Sequence, residues 1–277
     1  MRHESGEFAG FRGQPLFAQC WLPDRNIDAV AVLAHGLAEH SGRYLNLAAR
    51  LTARGVALHA HDMRGHGRSP GSRSYVASFV ALVRDLATLT ERARARHPGL
   101  PVTLIGHSFG GAVALHTALD CPALIDALVL SAPAIASDPA VPQLKIALGR
   151  VLSIVSPRTG ILTLPAAAVS RDPAVVLAYE TDPLVHRGAV PARTLVELLA
   201  AMKRIKARAG ELRTPTLILH GGEDRLVPLR FNRPVYERLG AADLTIRLYE
   251  GLFHEIFNEP EQAEVYADLE AWLDAHR

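Results

Sequence analysis

The sequence GHSFGG at residues 106–111 places a serine between glycines in a pattern typical of covalent catalysis. An apolar run at 102–105 comes before it, and a small-residue helical pattern follows up to residue 119. We therefore expect a strand that turns abruptly into a helix, with Ser108 at the corner as the nucleophile. Glycines flank such a turn because a Cβ would collide where the two backbones approach. A flexible glycine-rich loop with an incidental serine is the alternative, but the framing strand and helix argue against it.

A serine hydroxyl is a weak nucleophile, so it needs a histidine base and a carboxylate that orients that base. Asp224 and His254 supply these types in glycine-containing loops, each directly after a strand pattern, at 216–220 and 244–248. Glu223 is a rival acid, but its side chain would point the other way in an extended chain. His220 is a rival base, but it precedes the acid. The order serine, acid, histidine is the order of α/β-hydrolases.

A second polar loop, at 35–44, follows a fully apolar strand pattern at 29–34. Loops at the carboxyl ends of parallel strands form the ligand sites of open α/β sheets. We expect the N–H of Leu37 in this loop to stabilise the oxyanion together with the N–H of Phe109, which lies at the start of a helix, where negative charge is favoured. The histidines and Glu39 in this loop lack the spacing of a metal site. The predicted chemistry uses no metal and no cofactor.

The order of the remaining patterns indicates the fold. Strand patterns at 16–22, 56–60 and 127–131 alternate with helix patterns at 43–54 and 74–97. Such alternation predicts the α/β-hydrolase fold, a mostly parallel central sheet flanked by helices. We expect residues 1–133 and 211–277 to form the hydrolase core. Residues 134–210, where no central strand is indicated, are expected to form an inserted helical lid.

The predicted lid has an apolar face, which is expected to pack against another surface. Leu144, Leu148, Val151, Leu152 and Val155 follow helical spacing within 143–155, and a second helix pattern covers 195–206. One interpretation is that most of these side chains pack on the core domain. The other is that some of them line an acyl-chain tunnel or contact a membrane surface.

Composition excludes several classes of protein. A net charge of +2 gives no indication of the strongly basic surface that binds nucleic acid. Two cysteines are too few for a disulfide scaffold. The N-terminal sequence lacks a signal-peptide core, so we expect a cytoplasmic protein. No apolar run is suited to crossing a bilayer, so any membrane contact is expected to be peripheral and to involve the lid.

Several segments together resemble the monoacylglycerol lipase family, most closely its mycobacterial-type bacterial members. They are HGLAEHSGRY at 35–44, DMRGHGRS at 62–69, GHSFGG at 106–111, ETDPLV at 180–185, HGGEDRLVP at 220–228 and GLFHEIFNEP at 251–260. The resemblance implies that Ser108, Asp224 and His254 are the catalytic triad and that Leu37 and Phe109 are the oxyanion donors. It further implies that Glu39, Arg43 and Tyr179 form the polar end of the pocket, which takes the glycerol group.

The residues therefore predict a serine hydrolase that cleaves a small lipid ester, and the resemblance implies that this ester is a monoacylglycerol, which is cleaved into fatty acid and glycerol. The alternatives within enzymes are a lysophospholipase and a broad carboxylesterase with the same triad. The alternative outside enzymes is a catalytically silent binding protein with the hydrolase fold. A binding protein has no need for all three of Ser108, Asp224 and His254, which argues against that hypothesis.

Overall fold

The central sheet accounts for most of the strands in the computed structural model, which describes residues 1–276. Within these residues eight strands form one sheet in the order β1-β2-β4-β3-β5-β6-β9-β10. Only β1 and β2 run antiparallel to their neighbours, and the other pairs are parallel. This confirms the predicted α/β-hydrolase architecture. The strands are β1 (Arg2–Ala9), β2 (Pro15–Leu22), β3 (Ala29–Ala34), β4 (Val56–His61), β5 (Val102–His107), β6 (Ala127–Ser131), β9 (Thr216–Gly221) and β10 (Leu244–Tyr249).

Helices cover both faces of this sheet. The reason is that side chains of a strand alternate between the two faces, and in the buried strands the side chains on both faces are apolar. On one face α2, α3, α6 and α7 contribute to one apolar core, and on the other face α1 and α8 contribute to a second. The helices of the described chain are α1 (Leu45–Ala53), α2 (Phe79–Arg96), α3 (Ser108–Asp120), α4 (Gln143–Val155), α5 (Pro173–Thr181), α6 (Ala192–Arg208), α7 (Leu229–Tyr236) and α8 (Gln262–Ala275).

Helix α2 begins at Phe79, five residues later than its apolar pattern predicts. Hydrogen bonds to a distant segment of the chain explain this difference. The Thr194 hydroxyl accepts a hydrogen bond from the Val76 N–H, and the Glu197 carboxylate accepts one from the Phe79 N–H. Both acceptors belong to α6, so a distant segment holds residues 74–78 outside the helix and satisfies an amide at its start.

The chain between β6 and β9 contains α4, α5 and α6 together with a short antiparallel pair, β7 (Gly160–Leu162) and β8 (Val190–Pro191). Helix α4 packs against α6, and α6 packs against α3 of the sheet domain. Helix α4 has the bounds that its apolar spacing predicts. No helix in the part of the chain that the structure describes is long and apolar enough to cross a membrane.

The outer face of α4 is apolar and exposed. Leu144 is 80% exposed and Ile154 is 76% exposed, and Leu148, Val151 and Val155 are exposed beside them. The interpretation that most of this face packs on the core domain is therefore wrong. The physical reason is that α4 turns its small residues, Gly149 and Ser153, inward and leaves its larger side chains outside.

Candidate active site

Ser108 lies at the corner between β5 and α3, with a φ of 54°. A residue other than glycine in this left-handed region carries a strain of about 1–3 kcal/mol, which the surrounding packing must hold. That packing is close. A Cβ on Gly110 would lie 2.2 Å from the carbonyl oxygens of both Ala34 and His35. A Cβ on Gly106 would lie 2.6 Å from the carbonyl oxygen of Gly110, so both glycines are required, as the sequence predicts.

Asp224 and His254 meet although they follow different strands. His254 Nδ1 lies 2.7 Å from Asp224 Oδ2, and both side chains are buried. Asp224 Oδ1 accepts hydrogen bonds from the N–H groups of Leu226 and Val227 at 2.9 and 2.8 Å. With Nδ1 donating to the carboxylate, the lone pair of neutral His254 is on Nε2, the position that takes a proton from a serine.

The electrostatics of this pair suit a general base. Burial alone would raise the pKa of Asp224, but His254 and His220 outweigh it and hold that pKa well below its ordinary value. Burial alone would lower the pKa of His254, but the Asp224 carboxylate outweighs it and raises that pKa. Asp224 therefore remains a carboxylate that stabilises the imidazolium form of His254.

The two rivals have other positions. The Glu223 side chain is exposed to solvent. His220 Nε2 donates to the Val227 carbonyl at 2.9 Å and lies 3.3 Å from Asp224 Oδ2, while its Nδ1 accepts from the Tyr236 hydroxyl at 2.7 Å. His220 therefore supports the acid rather than acting as the base. Sequence reasoning missed this role, although the position of His220 at the end of β9 was the available signal.

Ser108 and His254 border one cavity of about 690 Å³, within the range of small-molecule sites. Its walls are largely apolar side chains from the segment between β6 and β9, among them Ile146, Ile161, Leu162, Leu195, Leu199 and Met202. The predicted oxyanion donors Leu37 and Phe109 line the same cavity. Part of the segment at 134–210 thus lines an apolar cavity, as the second interpretation of its apolar residues expects.

The end of the cavity near Ser108 is polar and includes Glu39, His107, Tyr179 and Glu255. Burial lowers the pKa of His107 to about 4, so this ring is neutral near pH 7. Burial, with the nearby carboxylates, raises the pKa of Tyr179 to about 12, so its hydroxyl stays protonated. Acceptors and donors for a hydroxyl-bearing group therefore lie beside the nucleophile.

Arg43 lies behind this polar end, against a small separate void. Its Nη1 donates to Glu39 Oε2 at 2.7 Å, and its guanidinium lies 4.9 Å from the centre of the Tyr179 ring. It also forms two hydrogen bonds with Glu255, which sequence reasoning missed. The structure thus brings the three predicted binding residues together, with Arg43 as the link between the carboxylates.

No group of three or more histidine, cysteine, aspartate or glutamate side chains suited to a metal occurs among residues 1–276. Each buried carboxylate of the site has another role. Asp224 pairs with His254, and Glu39 and Glu255 pair with Arg43.

Comparisons with known proteins found relatives that match almost the whole chain. A family model described as serine aminopeptidase, S33, matches residues 25–261. A monoacylglycerol lipase of Mycolicibacterium smegmatis is 40% identical over 97% of this chain and 96% of its own. A monoglyceride lipase of Homo sapiens is 34% identical over 94% of this chain and 87% of its own. The crystal structure of the Paleococcus ferrophilus monoacylglycerol lipase superposes with a TM-score of 0.82 at 32% identity and covers both chains completely.

A relative with 40% identity over nearly the full length of both chains, and a solved structure that matches over the whole fold, establish the family. The chain belongs to the monoacylglycerol lipase family of α/β-hydrolases.

Proposed function

We propose that this protein is a carboxylic ester hydrolase that cleaves monoacylglycerols into free fatty acid and glycerol. The observation that carries the proposal is that Ser108 and His254 border one cavity, whose lining combines many apolar side chains with the polar side chains of Glu39, Tyr179 and Glu255. In this proposal the apolar walls form a tunnel for one acyl chain, and the polar end takes a small hydroxyl-bearing group. The ester bond between them then lies at the nucleophile.

The reaction follows from the geometry in two steps. Ser108 Oγ attacks the ester carbonyl while His254 Nε2 takes its proton, and the N–H groups of Leu37 and Phe109 stabilise the oxyanion. Collapse of this intermediate forms the acyl-enzyme, and glycerol leaves with the proton from His254. Water, deprotonated by the same histidine, then attacks the acyl group and restores Ser108 as the fatty acid leaves.

The exposed apolar face of α4 supports a further proposal, that the segment at 134–210 contacts a membrane. Residues 1–133 and 211–276 act as the hydrolase core, and residue 277 of the expected core lies outside the described residues. Residues 134–210 act as a lid whose outer face contacts a membrane. Lipid substrates reside in membranes, so such contact brings the tunnel close to them. In a cytoplasmic protein the contact is peripheral.

A series of esters with one acyl chain length tests the proposed function. We expect the highest kcat/KM for the monoacylglycerol, lower values for the di- and triacylglycerol, and the lowest for lysophosphatidylcholine. The reason is that Glu39 and Glu255 line the cavity, accept hydrogen bonds from glycerol hydroxyls and repel the phosphate that is attached to the glycerol of lysophosphatidylcholine. Comparable turnover of lysophosphatidylcholine would instead favour a lysophospholipase, and no turnover of any ester would favour a binding protein.

Leu144→Gln combined with Leu148→Gln tests the membrane contact. We expect binding to phosphatidylcholine vesicles to weaken by about tenfold or more, since each exposed leucine contributes roughly 1 kcal/mol or more when it leaves water. Hydrolysis of a water-soluble short-chain ester should remain unchanged, because neither side chain lines the cavity. Val80→Gln, at an exposed apolar position on α2, is the matched control. Vesicle binding by the double variant equal to that of the control would contradict the lid contact.

A further inference from the structure

Two carboxylates face the polar end of the cavity, and the arginine between them does not. Glu39 and Glu255 line the cavity beside Ser108 and His254. Arg43 lines the small void that Glu39 and Glu255 also border, and its side chain is 10% exposed, against 5% for Glu39 and 7% for Glu255. Of these three charged residues, only the two acidic ones therefore border the cavity that contains Ser108.

Arg43 is held in this position by its partners. Its Nη1 donates to Glu255 Oε1 at 2.6 Å and its Nη2 donates to Glu255 Oε2 at 2.8 Å, a two-point contact, while Nη1 also reaches Glu39. Asn258 Nδ2 donates to Glu255 Oε2 at 2.8 Å, and the Glu255 N–H donates to the Val169 carbonyl at 2.7 Å. Arg43 and Asn258 thus hold the Glu255 carboxylate, and the Val169 carbonyl holds its backbone, so little freedom remains for Arg43 to turn towards a ligand.

The charges at this end leave a negative excess. Burial would raise the pKa of Glu39, but Arg43 with His107 and His35 lowers it to about 2, so Glu39 is ionised. One guanidinium then faces two carboxylates. The cations Lys145 and Arg230, which also line the cavity, come from α4 and α7 and not from the loops that carry Glu39 and Glu255.

Carboxylates accept hydrogen bonds and donate none. Free hydroxyls of a glycerol group can donate to them. A doubly ionised phosphate group has no donor to offer, and its negative charge is repelled by the carboxylates in a site of low dielectric. The two carboxylates therefore discriminate between two head groups that differ only by phosphorylation.

We propose that Glu255 is a specificity-determining residue, which together with Glu39 makes the polar end select an uncharged, hydroxyl-bearing head group and reject a phosphorylated one. The proposal rests on the proposed monoacylglycerol hydrolysis and extends it. Glu255 acts in two ways, by presenting its own charge to the head group and by keeping Arg43 from pairing with a phosphate.

The test compares 1-monoacylglycerol with the same lipid phosphorylated on its terminal hydroxyl, 1-acylglycerol 3-phosphate. For the wild type we expect a large ratio of the two kcat/KM values in favour of the unphosphorylated ester. Glu255→Gln removes one negative charge at nearly constant volume and loosens Arg43. This variant should lower the ratio by about tenfold or more, mainly through a lower KM for the phosphorylated ester.

Two further variants separate specificity from structure. Glu255→Asp keeps the charge, so its ratio should stay near the wild-type value even where its activity falls. Glu250→Gln removes an exposed charge close in sequence to His254 and should leave the ratio unchanged. A purely structural role for Glu255 would lower turnover of both esters in parallel in Glu255→Gln.

The possible outcomes distinguish a failure of the role proposed for Glu255 from a failure of the proposed ester hydrolysis. A ratio in Glu255→Gln equal to that of the wild type would overturn the role of Glu255 while leaving ester hydrolysis intact. Equal turnover of both esters by the wild type would also overturn it. A wild type that cleaves neither ester would refute the proposed function itself, and the specificity proposal with it.

Discussion

Ser108→Ala is expected to lower kcat for monoacylglycerol hydrolysis by about 10⁴- to 10⁶-fold, the range found when a triad serine is removed. The reason is that no acyl-enzyme can form once the hydroxyl at the corner between β5 and α3 is absent. The oxyanion donors are backbone groups of Leu37 and Phe109 and remain in place, so a small residual rate should persist. Steady-state hydrolysis of a monoacylglycerol by the purified variant measures this loss.

The cavity offers a matched control for this variant. Ser137 also lines it, is exposed, and belongs to the segment after β6. Ser137→Ala should retain nearly full activity. Mass spectrometry of the wild type during turnover of an activated ester should also find the acyl group on the peptide that contains Ser108. Substantial activity in Ser108→Ala, or acylation of another peptide, would show that a different residue is the nucleophile.

Asp224→Asn is expected to lower kcat by about 10⁴-fold. The amide Oδ1 can still accept from the N–H groups of Leu226 and Val227, so the loop should keep its shape. The amide nitrogen, however, can only donate to His254 Nδ1, which places the histidine proton on Nε2. In that tautomer His254 cannot take the proton of Ser108.

Glu223→Gln is the matched control, since it neutralises the neighbouring acid, whose side chain is exposed. It should leave kcat nearly unchanged. Thermal unfolding of both variants distinguishes a catalytic defect from a folding defect. Equal losses in Glu223→Gln and Asp224→Asn would contradict the assignment of Asp224 as the acid.

The pH dependence provides a second measurement of the same pair. Protonated His254 cannot act as a base, so kcat/KM of the wild type should fall as pH falls through the pKa of His254. The Asp224 carboxylate outweighs burial and raises that pKa. Removing the carboxylate should therefore move the acid limb of the residual activity to lower pH. An acid limb at the same pH in both proteins would mean that another group controls it.

The sequence by itself was sufficient for features that depend on neighbours along the chain. Apolar runs predicted the parallel strands, and helical spacing predicted α4 with its observed bounds. The glycines around Ser108 predicted the sharp corner, since a backbone clash at Gly106 or Gly110 leaves few other residues acceptable. The polar strand β1 was missed because only Phe8 of its eight residues is buried, so it carries no apolar pattern.

Only the tertiary structure decided which distant groups meet and which faces remain uncovered. Arg43 and Glu255 are 212 residues apart, and no local pattern indicates that they pair. The apolar spacing of α4 is the same whether its outer face packs or stays exposed. Such spacing shows that the apolar residues share one side of the helix, but it does not indicate what that side contacts. The late start of α2 likewise depends on Thr194 and Glu197 of α6. The sequence determined the local elements and the order of the reactive groups, while the packing of distant segments determined the charge of the polar end and the exposed surface of the lid.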